Sequence, residues 1–260
     1  MLERRNPLSK IVAVTPLMAI AALAGDVYLP LALTGLALFT LLVGGVAPKR
    51  ILGALIPLAL VALGFLMLYP LIVRRELVMH TPAIARIGDL VIYAGALRFG
   101  LVAMARVLAL VSLSLIFSLT TPVDDFVRAL VQQARVPHRV GYAALAALRF
   151  APLLRDELAQ IRAAHRVRGL ARSGVVGELA QARRALVPLL ASAIRRAERA
   201  ALAMDGRAFG AYPQRTYLRR VTLDWADVGL ALLLWAAAAA IILALQALGW
   251  LGPLSFVQRV

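Results

Sequence analysis

The sequence predicts an all-α polytopic membrane protein: about five transmembrane helices, with a cytoplasmic domain of amphipathic helices between the fourth and the fifth. Three observations lead there. Of 260 residues 62% are hydrophobic, with a mean hydropathy of +0.84, beyond the balance of an ordinary soluble domain. Several apolar runs are long enough for a hydrocarbon core of about 30 Å. The formal charge of +16 is spread unevenly, because residues 122–220 hold 18 of the 29 Lys and Arg against 7 of the 13 acids. A basic excess can serve nucleic acid, an anionic membrane or an acidic partner. Confined to one stretch between spans, it reads as the positive-inside signature, so no nucleic acid is expected as a partner.

The elements follow in order. The first span runs from about Leu8 to Ala24, after the basic start MLERRNPLSK; ALAG at 22–25 imitates a signal-peptide cleavage site, but the next apolar run favours an uncleaved helix. The second span, about Val27 to Val46, is separated from it only by Gly25 and Asp26, a tight turn in which an exposed Asp26 needs no special explanation. APKR at 47–50 introduces the third, Ile51 to Val73, in which Pro57 and Pro70 are tolerated because neighbouring helices re-satisfy the backbone. Residues 74–98 read as an external connection dipping into the interface, since the patch Leu90–Tyr93 is too short to cross and Asp89 lies at its edge.

The fourth span, about Phe99 to Leu119, carries Arg98 and Arg106 in or just before its first half, where arginine usually snorkels or faces the bundle, and snorkelling is the expectation here. At TTPVDD, residues 120–125, Thr121 can cap, Pro122 suits the first helical position, and Asp124 and Asp125 complement the dipole. Beyond it, 123–211 holds no clean apolar 20-mer. Leu154, Leu158 and Ile161 form a stripe apart from Arg155, Glu157, Arg162 and Arg166; Leu190, Ile194, Ala197, Ala201 and Met204 form another, apart from Arg195, Arg196, Glu198 and Arg199. A fifth span covers about Trp225 to Leu248, with Trp225 and Trp250 as interfacial anchors. The organisation is therefore spans 1–4 in residues 1–121, a cytoplasmic domain in 122–220, and the fifth span with a tail in 221–260. With 122–220 inside, the N-terminus is cytoplasmic and the C-terminus external; Arg4, Arg5, Lys10, Lys49 and Arg50 agree, and Arg74 and Arg75 are a mild violation.

Catalytic signatures are missing. Without cysteine, thiolate chemistry, disulfides and cysteine metal sites are excluded, and His80, His138 and His165 lack ligand spacing. The only lysines, Lys10 and Lys49, stand in no phosphate loop, and neither a G-x-S-x-G elbow nor an H-E-x-x-H helix occurs. No cofactor or metal is expected, and the chain reads as a non-enzyme.

Two arginines at helix ends stand out. Arg168 precedes Gly169, where the first amphipathic helix should stop on a left-handed glycine. Gly206 is expected to end the second helix in the same way, with Arg207 just after it and Gly210 closing the turn. Either arginine could simply complement a helix dipole, but two such ends in one domain weaken that explanation.

Several stretches resemble one family, the transmembrane T component (EcfT/CbiQ/BioN type) of energy-coupling factor (ECF) transporters. NPLSKI at 6–11 is similar to its Asp-Pro-x-x-Lys-Leu entry, with Asn6 replacing the acid. GDLVIYAGALRFGLVAMARVLALVSLSLIFSLTTP at 88–122 resembles its fourth span and Thr-Thr boundary, and LRFAPLLRDELAQIRAAHRVRG at 148–169 its first coupling helix; VPLLASAIRRAERAALAMDGRAFG at 187–210 is the closest match.

The resemblance implies that Ala-Arg-Gly-like motifs at the ends of two coupling helices dock into a pair of ATP-binding ABC ATPase subunits, identical or different. Here they fall on Val167-Arg168-Gly169 and Gly206-Arg207-Ala208, with both arginines kept and the flanks changed. It further implies a multi-pass protein of a bacterial or archaeal cell membrane. A separate S component would capture a vitamin or transition-metal ion, with ATP hydrolysed by the partners. Two other readings stay open: a self-contained permease or channel, against which the few polar span residues (Ser112, Ser114, Ser118, Gln246) count, and a membrane-bound transferase, against which the missing acidic or histidine cluster counts.

Overall fold

A computed structural model describes residues 5–73, 80–87, 90–170, 174–212 and 216–250. The expectations attached to Arg4, Arg74, Arg75 and Asp89 lie outside these residues. Eight helices are described: α1 (Pro7–Leu23), α2 (Tyr28–Val43), α3 (Pro48–Ile72), α4 (Ala94–Thr120), α5 (Val123–Gln132), α6 (His138–Val167), α7 (Val175–Asp205) and α8 (Trp225–Ala247). Two short strands, β1 (Ala83–Ile87) and β2 (Leu90–Tyr93), precede α4. The chain divides into two compact units, one of residues 1–129 and 221–260 and the other of residues 130–220.

The first unit is a bundle whose core joins α1, α2, α4 and α8. Leu17, Leu29, Leu33, Leu41, Leu113 and Leu234 are fully buried, and Ala21, Ala37, Ala109 and Ala238 between them let the helices approach closely. The indole Nε1 of Trp235 donates to the Ala13 carbonyl at 3.0 Å, tying α8 to α1. Helix α3 packs against α4 at Gly100, where an added Cβ would lie 3.0 Å from the Leu66 carbonyl oxygen. Only Ile51 and Ala62 of α3 are buried, as befits a peripheral helix of a membrane bundle that packs on one side and can face lipid on the other. Helices α3, α4 and α8 are long and apolar enough to cross a membrane, while α1 and α2 are shorter apolar helices of 17 and 16 residues. The fold is thus an all-α polytopic membrane protein.

Four local readings change. Helix α2 stops at Val43, short of Val46, because Gly45 adopts φ 85° and the Val46 N–H returns to the Leu41 carbonyl. Asp26 is buried, its Oδ1 accepting the Leu29 N–H at 2.8 Å to cap α2. Arg106 faces the bundle, its Nη2 donating to the Ala24 carbonyl at 2.6 Å. Among its described residues, the connection before α4 forms two antiparallel strands, pairing Ile87 with Leu90 and Arg86 with Val91. Gly88-Asp89 between two β-favouring runs is a hairpin signal. The hairpin leads directly into α4, whose first N–H groups, of Ala94 and Gly95, bond to the Pro82 carbonyl and Thr81 Oγ1.

Candidate functional site

In the second unit, α6 and α7 have 30 and 31 residues and each would extend about 45 Å. Each carries one interior proline near its middle, Pro152 and Pro188, which removes a backbone hydrogen bond. Arg196 of α7 pairs with Glu157 of α6 at 3.4 Å. Among the described side chains of α7 only Gly177, Ala185 and Ser192 are buried. The stripe anticipated on this helix is left largely uncovered: Leu190, Ile194, Ala197 and Ala201 are exposed, and Met204 is partly covered. Small residues take the buried positions, which leaves Leu179, Leu186, Val187, Leu190, Ile194 and Leu202 exposed.

Both helices end in one kind of turn. At α6, the Gly169 N–H bonds to the Arg166 carbonyl and the Leu170 N–H to that of His165, with Gly169 at φ 68°. At α7, the Ala208 N–H bonds to the Asp205 carbonyl and the Phe209 N–H to that of Met204, with Ala208 at φ 55°. This is the paired 5→2 and 6→1 closure around a left-handed residue. Gly206 therefore does not play the part of Gly169. At φ −62° and ψ −16° it continues the helical path, and the left-handed position falls on Ala208. In consequence Val167-Arg168-Gly169 and Gly206-Arg207-Ala208 occupy the same three places in the closing turn, the left-handed residue and the two before it.

The same closure ends α2 at Gly45 and α8 at Gly249, where the capping positions are Gly44 and Leu248. The turn itself is thus generic in this chain, and the arginine at its cap belongs to α6 and α7. Both Arg168 and Arg207 are exposed, and Val167 is 90% exposed. Neither arginine has a side-chain hydrogen bond or ion pair among the described residues. A guanidinium so presented can grip a partner's carboxylate with two parallel charge-assisted bonds.

Phe209, Arg139 and Tyr142, which the sequence reading passed over, shape the second end together with His138 and Gly210. Phe209 lies edge-on between His138 and Tyr142, at ring-centroid distances of 5.6 and 5.4 Å. Arg139 Nη2 donates to the Gly210 carbonyl at 3.4 Å, and Gly210 is at φ 85°. These contacts fasten the α7 turn to the first turn of α6. They also border a cleft of about 430 Å³ that Arg207, Met204, Tyr212 and Thr216 help to line. An aromatic residue directly after the turn, where an apolar contact commonly accompanies this cap, was the available signal.

Residues 1–218 match the CbiQ family, described as cobalt transport protein. Among curated relatives, the energy-coupling factor transporter transmembrane protein EcfT of Exiguobacterium sibiricum is 32% identical over 183 residues, 66% of this chain and 69% of the relative. The protein of the same name from Bacillus subtilis is 28% identical over 236 residues, 87% of each chain. That of Limosilactobacillus fermentum is 31% identical over 144 residues, 52% of this chain and 54% of the relative.

Proposed function

The chain belongs to the CbiQ family and is a transmembrane T component of an energy-coupling factor transporter, and from that premise we propose that it couples two partner ATPases to a substrate-binding membrane subunit. Helices α6 and α7 are the coupling helices. Val167-Arg168-Gly169 and Gly206-Arg207-Ala208 are the docking motifs, each received by one ATPase subunit. The observation that carries this reading is the repeated cap: two long helices of one unit present an exposed arginine at the same position of the same turn. Rigid helix ends suit the task, because a partner that rotates on binding nucleotide then moves the whole helix as a lever.

The exposed apolar side chains of α7, among them Leu179, Leu186, Leu190 and Ile194, support a platform for the substrate-binding subunit. In this reading the N-terminus and residues 122–220 are cytoplasmic and the C-terminus is external. ATP is hydrolysed by the partners, and the cargo is a vitamin or a transition-metal ion. The test is co-purification from membranes of the chain with its co-expressed ATPase pair, comparing wild type with Arg168→Ala, Arg207→Ala and the double substitution. Loss of ATPase retention in a stably inserted double variant is the expected result. Unchanged retention and uptake would reduce both arginines to ordinary helix-end charges.

A further inference from the structure

The entry segment Arg5–Lys10 lies outside the two docking motifs, and it holds the most buried cation among the described residues of the bundle. Lys10, on the first turn of α1, is 1% exposed. Its Nζ donates to the Thr120 carbonyl at 2.9 Å and to Thr121 Oγ1 at 3.2 Å. An ammonium there meets the negative end of α4, where the last carbonyls lack helical partners. Burying such a charge is costly unless it is paired or hydrogen-bonded, and these acceptors at the helix end meet that need.

Asn6, four residues earlier, works in another direction. Its side chain caps α1 by accepting the Leu8 N–H at 2.9 Å. The same side chain donates from Nδ2 to the Thr222 carbonyl at 3.0 Å, and its backbone N–H donates to Asp227 Oδ1 at 3.3 Å. Asp227 is 3% exposed; its Oδ2 accepts the Asp224 N–H at 3.1 Å, and Arg5 stands 3.9 Å away. One short segment thus bonds to the end of α4 and to the start of α8, residues more than 100 positions apart in the chain.

These two places are where the chain leaves and re-enters the bundle. The first unit ends at Ala129 and resumes at Val221. Thr121 stands just before α5, a continuous helix that carries the chain across the first boundary, and Thr222 directly follows the second. A helix cap alone would explain Asn6 and Pro7, but it would require neither the buried ammonium of Lys10 nor the bond to Thr222.

We infer that Arg5–Lys10 is a strap that holds both chain crossings to the first span, with Lys10, Asn6 and Asp227 as positioning residues through which movement of the coupling helices reaches α1, α4 and α8 together. The inference rests on the coupling role proposed above. Without the strap, ATPases would still dock and turn over, but their movement would be lost between the two units.

The experiment uses the whole complex of this chain, its ATPases and its substrate-binding subunit in proteoliposomes, with Lys10→Met and Asp227→Asn. ATPase retention, ATP hydrolysis and uptake are measured on each. Expected is an uptake at least about tenfold lower, in line with the loss of a charge-assisted bond, with ATPases retained and ATP still hydrolysed. If Lys10→Met is not recovered from membranes, Lys10→Gln, which keeps a donor without the charge, takes its place. Normal uptake in the recovered variants overturns the inference. So does loss of ATPase retention, which would make the segment a support for docking, and so does failure of every variant to insert, which would make it a requirement of folding alone. Should the Arg168 and Arg207 double substitution keep its ATPases while the strap variants uncouple, the docking assignment fails and the strap does not.

Discussion

The ends of α6 and α7 close with the same pair of backbone hydrogen bonds, but their surroundings differ. The α6 turn rests on Gly169, with no atom within 4 Å of where a Cβ would stand. The α7 turn rests on Ala208 in a conformation that alanine seldom adopts, followed by Phe209 between two aromatic rings and Gly210 against Arg139. One arginine is placed by the backbone freedom of glycine, the other by tertiary contacts that offset a local strain of about 1 kcal/mol. Equivalent helix ends can thus be set by different physics, and the two should respond differently to substitution.

The largest effect should come from the arginines themselves. Arg168→Ala and Arg207→Ala each remove a charge-assisted contact worth about 1.5–3 kcal/mol, so ATPase binding in detergent should weaken about tenfold or more for either. Lysine at either position should restore little of it, because a point charge cannot form the bidentate pair. Equal binding by wild type and both single variants would erase the functional side of the comparison.

Phe209→Ala should separate the two ends. Losing two edge-on aromatic contacts costs about 1–3 kcal/mol, and amide hydrogen exchange should rise across residues 206–210 while staying unchanged at 168–170. Equal protection at both ends would show that the clamp does not hold the α7 turn.

Smaller effects come from exchanging the left-handed residues. Gly169→Ala should destabilise the α6 end by about 1 kcal/mol, for conformational reasons alone. It should be read as faster exchange at 168–170 with Arg168 still present. Ala208→Gly should do the reverse, stabilising the α7 end by about 0.5 kcal/mol, because relief of the strained φ is partly cancelled by a freer unfolded chain. A melting temperature in detergent that falls with Ala208→Gly would mean that the alanine methyl contributes packing that outweighs its strain.

Much of this was legible in the residues. Length and continuity of the apolar runs locate the helices that can cross a membrane, because a 20-residue hydrophobic stretch has few other places to go. Asp124 and Asp125 after Pro122 mark the start of α5, and Arg168-Gly169 marks the end of α6, because caps act within a few residues. Three features were harder to read. The left-handed residue of α7 is Ala208 and not the neighbouring Gly206, since the clamp on Phe209 and Gly210 chooses where the chain turns. The apolar stripe of α7 was legible but its exposure was not, since periodicity tells which residues share a face and not whether anything covers it. Asp26 looked like a surface carboxylate and is buried as a cap.

By itself the sequence determined the membrane class, the approximate places of the apolar helices, the basic stretch at 122–220, and the two arginines at helix ends. All of these depend on local composition and on interactions reaching no more than a turn along the chain. Only the tertiary structure decided that Lys10 reaches Thr120, that Asn6 reaches Thr222, and that Phe209 lies between His138 and Tyr142. Those contacts join residues 67 to 216 positions apart, and a chain carries no local signal of which distant carbonyl or ring will come within reach once its helices have packed.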